Sequence, residues 1–90
     1  MSESRKKEVL ALSIDIKDVE VVGLYTKPRT WGVYCIIGPA QGDRQFRFGN
    51  HPIREWELRR EFKFGKVSLE ALFTERSLAI ELKNILNNEG

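Results

Sequence analysis

The chain has 90 residues, 15 basic and 13 acidic side chains, a net charge of +2 and 41% hydrophobic residues. A chain of that length supports one domain with one core, and its composition is that of an ordinary globular protein. Near-balanced charge gives no electrostatic case for a dedicated nucleic-acid or membrane binder, and the single cysteine, Cys35, excludes a disulfide-stapled scaffold.

Residues 1–7 are polar and charged and read as a flexible tail, so the expected domain spans residues 8–90. The apolar run from Val9 to Ile14 is broken by Ser13 and ends at Asp15. It is too short for a secretory h-region, and no stretch approaches a membrane span of about 20 apolar residues. The expectation is a cytoplasmic protein without membrane contact.

Leu10, Leu12, Ile14 and Ile16 alternate with Ala11, Ser13, Asp15 and Lys17, the period of a strand with one buried face. A helix starting near Arg5 is the competing reading, but it would scatter its apolar residues around the cylinder. After a turn at Lys17-Asp18, the β-branched stretch Val19–Thr26 predicts a second strand, which Pro28 ends.

Thr30–Ile37 is the most β-prone segment, and apolar residues fill both alternation sets. That pattern predicts a central strand buried on both faces. Gly38–Asp43 reads as a loop. From Arg44 to Phe48, Phe46 and Phe48 share one face and Gln45 and Arg47 the other. Asn50-His51-Pro52 reads as a turn, with the imidazole bonded to backbone.

Residues 52–60 favour a short helix by composition and then run into extended chain. Val67, Leu69, Ala71 and Phe73 alternate as a further strand. The C-terminal segment from about Glu75 to Asn87 is an amphipathic helix with Thr74 as its N-cap. Leu78, Ala79, Leu82, Ile85 and Leu86 form its apolar stripe, while Arg76, Lys83, Asn84 and Asn87 lie opposite.

The expected fold class is therefore α+β: an antiparallel sheet of four to five strands, able to curl partway towards a barrel, with the C-terminal helix packed on one face. A single helix cannot cover both faces of the central strand. A second short helix, curling of the sheet or a partner chain must supply the rest, which makes a homodimer an expectation. Sheet edges offer a further route to partners by β-augmentation.

No string in the sequence carries a recognised chemistry. The Gly38–Asp43 loop lacks the Lys and Ser/Thr that a phosphate-binding loop places after its last glycine, and Asp43 would repel phosphate. His51 is the sole histidine and has no companion ligand or base in sequence, while Cys35 sits in the best core strand. The protein is not expected to be an enzyme, and no cofactor or metal is expected.

The sharpest pattern is the interleaving of cations and rings between residues 44 and 66. Arg44, Arg47, His51, Arg54, Trp56, Arg59, Arg60 and Lys63 form the candidate interaction surface. Cations for phosphate and rings for base stacking would suit single-stranded nucleic acid. Against it, Glu55, Glu57 and Glu61 share the segment, and Glu55–Arg59 spacing fits helical ion pairs on a solvated face. The leading expectation is a non-enzymatic protein-interaction or accessory module that can self-associate. Sequence-tolerant nucleic-acid binding through residues 44–66 is the alternative.

Overall fold

A computed structural model describes residues 3–38, 44–52 and 65–89. Helix α1 covers Glu3–Ala11 and is followed by a 3-10 turn at Ile16–Asp18. Strands β1 (Glu20–Val22) and β2 (Tyr25–Lys27) form a separate antiparallel hairpin. Strands β3 (Thr30–Ile37), β4 (Arg44–His51) and β5 (Lys66–Phe73) form an antiparallel sheet in the order β4-β3-β5, and helix α2 (Arg76–Asn88) closes the described chain. The class is α+β, with two antiparallel sheets among the described residues and no closed barrel.

β3 is central because its side chains can be buried on both sides. Gly32 through Ile36 are all buried. On one face Val33 joins Ala71 and Phe73 of β5, Ala79 and Leu82 of α2 and Val9 of α1 in the main core, with Trp31, Phe48, Leu78, Ile85 and Leu86 packed around them. On the other face Tyr34 and Ile36 pack with Val67 and Leu69. The apolar stripe of α2 is thus the lid expected from its spacing. The helix starts one residue later than expected, with Glu75 rather than Thr74 as the extended N-cap residue and no side-chain capping bond.

β5 carries a correction. Val67, Leu69, Ala71 and Phe73 alternate in sequence, yet Val67 and Leu69 lie on the Tyr34 face whereas Ala71 and Phe73 lie on the helix face. The cause is a register shift: Val33 pairs with Ala71 and Tyr34 with Leu69, leaving Glu70 as an extra residue. One inserted residue moves every later side chain to the opposite face.

The N-terminal region differs most from expectation. Residues 3–7, read as part of a polar tail, and Leu10-Ala11, read as the start of a strand, belong to helix α1. Its Glu, Arg, Lys, Leu and Ala content favours helix, and only one apolar side chain is needed to seat it: Val9, fully buried in the main core. The alternating set does not form a buried face, since Leu10, Leu12 and Ile16 are exposed. Arg5 bonds Glu81 through Nε and Nη2, and Lys6 pairs with Glu89, so α1 lies along the acidic side of α2. Beyond the helix, the Ile14 N–H donates to the Leu72 carbonyl at 2.7 Å, fixing the chain to the end of β5.

The expected single strand over Val19–Thr26 is two strands. Gly23, at φ +62°, and Leu24 turn the chain so that Val22 pairs with Tyr25 and Glu20 with Lys27. A left-handed first turn residue is what a two-residue hairpin loop requires, and glycine adopts it without strain.

Candidate functional site

Of the candidate surface, Arg44, Arg47 and His51 lie on β4, whereas Arg54, Trp56, Arg59, Arg60 and Lys63, together with all but Pro52 of the expected helix over 52–60, fall outside the described residues. So does all but Gly38 and the preceding strand end of the expected loop over 38–43. β4 pairs with β3 so that Phe46 stands opposite Cys35 and Phe48 opposite Val33, while Arg47 stands opposite Tyr34 and His51 opposite Thr30. The alternation therefore sends Phe46 and Phe48 to the helix face and Arg47 and His51 to the other.

His51 is built into a polar corner at one end of the sheet. Its Nδ1 lies 2.9 Å from the Tyr34 hydroxyl, and the two rings are near-parallel with centroids 6.4 Å apart. The Tyr34 ring lies back across Gly32, where a Cβ would come within 2.8 Å of it. Glycine at 32 thus makes room for the tyrosine that reaches the histidine. The His51 carbonyl accepts from the Thr26 hydroxyl at 2.7 Å, and Thr26 and Thr30 hydroxyls meet at 3.2 Å. His51 ends β4 instead of forming a turn, and its imidazole bonds a side chain, not backbone. Burial pushes its pKa below the ordinary value of 6.5. Through Thr26 and Tyr34 this corner anchors the hairpin and β3 to the end of β4. Cys35 is buried, and burial raises its thiol pKa, which keeps it unreactive. Among the described residues no group of three potential ligands could hold a metal ion, and no helix is long and apolar enough to cross a membrane.

The helix face of β4 is different. A groove of about 350 Å³ runs between the strand and α2, lined by Gln45, Phe46, Arg47, Phe48, Lys83 and Asn87. Asn87 pairs with the strand edge as a peptide would: its Oδ1 accepts from the Phe46 N–H at 2.9 Å, and its Nδ2 donates to the Phe46 carbonyl at 3.0 Å. Lys83 Nζ stands 5.2 Å from the Phe48 ring centroid, and the Arg76 guanidinium stands 5.3 Å from Phe48 and 5.6 Å from Trp31. Arg44 lies 5.7 Å over Phe46. These are cation–π distances.

Sequence spacing puts Arg76, Lys83 and Asn87 on the solvated back of the helix, outside the candidate interaction surface, and the structure turns them towards β4. Their spacing of seven and four places them on one stripe. That stripe borders the apolar one and meets β4 as the helix settles on the sheet. The helix is therefore both lid and groove wall.

The second exposed feature is the hairpin. Tyr25 is 78% exposed, Leu24 62%, Val21 53% and Val22 49%, and Thr26 is its one buried residue. Val22 and Tyr25 pair on the face that also carries Glu20 and Lys27, opposite the face of Thr26. Comparisons with protein families, curated proteins and solved structures return no match.

Proposed function

We propose that the protein is a non-enzymatic interaction module that self-associates through the outer face of the β1–β2 hairpin. The observation that carries this reading is the exposure of Val22, Leu24 and Tyr25 on a two-stranded sheet with one buried side chain. Two strands alone are marginal in water and gain independent stability only when a face is covered. Grouped apolar side chains of this kind mark docking surfaces, and tyrosine is favoured at their centres.

The charges around the patch favour a second copy as the cover. Asp15, Asp18 and Glu20 are interspersed with Lys17, Lys27 and Arg29. A rim that carries both signs can be matched by a second copy of itself, as an isologous interface requires. A partner of strongly acidic or basic character would meet like charges on this rim.

Sedimentation or light scattering over a micromolar concentration series tests the reading. The wild-type chain is expected to move from monomer to dimer, and Leu24→Glu or Tyr25→Lys to remain monomeric with an unchanged circular dichroism spectrum. A wild-type chain that stays monomeric throughout, or variants that dimerise equally, would overturn it.

A further inference from the structure

The groove between β4 and α2 has a charge out of proportion to the near-neutral chain. We infer that it is a binding site for the phosphodiester backbone of a nucleic-acid strand, held by Lys83 in its lining and by Arg44 and Arg76, which stand over the rings beside it. This site is separate from the hairpin and independent of its role.

The fold sorts the charges of α2. Its acidic residues Glu81 and Glu89 are turned towards α1, where Arg5 and Lys6 neutralise them. Its basic residues Arg76 and Lys83 are turned towards β4. Neither Glu75, at the N-cap, nor Arg76 is a lining residue, but the Arg76 guanidinium stands over Phe48, which is. Among the described residues, the groove is lined by cations, carboxamides and rings and by no carboxylate. A net charge of +2 is therefore a poor guide to the local field: the compensating acids are spent on the other side of the helix.

The cations also form a row. Arg44 stands over Phe46, Lys83 over Phe48, and Arg76 over Phe48 and Trp31. Phe46 and Phe48 are two residues apart on an extended strand, a step of about 7 Å. Cations set out in order along a strand, Arg44 at Phe46 and then Lys83 and Arg76 at Phe48 and Trp31, suit a linear chain of anions better than a single compact one. Arginine presents a fork that fits phosphate oxygens, and lysine adds a point charge. Asn87 holds the groove wall in register through its paired bonds to Phe46.

The same geometry decides how binding works. The Phe48 and Trp31 rings already carry cations, and Phe46 is buried. Among the described residues of the groove, no ring is left as an open platform for a base. The site reads phosphates without stacking, in contrast to the aromatic platforms of most single-strand binders.

Fluorescence anisotropy with a labelled single-stranded oligonucleotide tests this. Binding at low salt should weaken with salt on a logarithmic slope of about −2, for three phosphates neutralised. Lys83→Gln and Arg76→Gln should each reduce that slope by about 0.7, with circular dichroism unchanged. An oligonucleotide of abasic residues should bind as well as one with bases, and polyglutamate more weakly. Leu24→Glu, which disrupts only the hairpin face, should bind like wild type. No binding at low salt, full binding by the double Gln variant, failure of the abasic strand, or stronger binding of polyglutamate would overturn the proposal.

Discussion

At the residue scale, a few side chains decide how the elements meet. Gly65 is one: a Cβ there would overlap the Ile37 carbonyl where β5 begins beside the end of β3. Gly65→Ala should therefore destabilise strongly, because backbone cannot move aside as a side chain can, and thermal melts will show it. Asn87→Ala leaves the Phe46 N–H and carbonyl without their partner. It should cost about 1–2 kcal/mol in denaturant unfolding and expose the β4 edge to aggregation. His51 gives a pH dependence with a defined sign. Its pKa is lower folded than unfolded because burial disfavours the cation, so the unfolded chain takes up the proton first. The contribution is whole above the unfolded value near 6.5 and is lost as pH falls towards the folded value. Melting temperatures should drop across that window in wild type, and His51→Gln should remove that part of the drop. Tyr34→Phe should retain it, since burial and not the hydroxyl sets the direction.

At the element scale, α1 is held by Val9 in the core and by ion pairs on the surface. Val9→Ala should cost about 2 kcal/mol in global unfolding, through lost burial and the space left behind. The long or strongly patterned elements were legible in the sequence. β3 showed apolar residues in both alternation sets and is buried on both faces, and α2 showed a full apolar stripe that caps the sheet. What escaped the sequence were features decided by a single residue or by tertiary contact. Gly23 turned one expected strand into a hairpin, and Glu70 reversed the facing of half of β5. α1 gave a weak periodic signal because one buried valine suffices to dock it. The groove was half visible: Arg44 and the phenylalanines stood out in sequence, but Arg76, Lys83 and Asn87 belong to it only because α2 crosses β4. Sequence spacing alone grouped these three residues on one stripe without saying what that stripe would face.

At the scale of the whole molecule, the main sheet packs against α2, and the hairpin leaves its outer face exposed. Asn87 occupies one outer edge of the sheet at Phe46, and the Ile14 N–H meets the Leu72 carbonyl at the end of β5. Helix and sheet bury the apolar stripe between them, and the acidic residues of α2 are matched by α1. Most of the large apolar side chains left to water among the described residues lie on the hairpin and its approach, at Leu12, Ile16, Val21, Val22, Leu24 and Tyr25, while Leu10 on α1 and Ile37 at the end of β3 are exposed elsewhere. This distribution is why association is assigned to the hairpin and not to an open strand edge. Hydrogen exchange read peptide by peptide at low and high protein concentration tests that assignment most directly. Amides of residues 20–27 should become more protected as concentration rises, while those of β3 and α2 keep their rates. Hairpin exchange that is independent of concentration, or protection that appears on β4 or β5 instead, would contradict it.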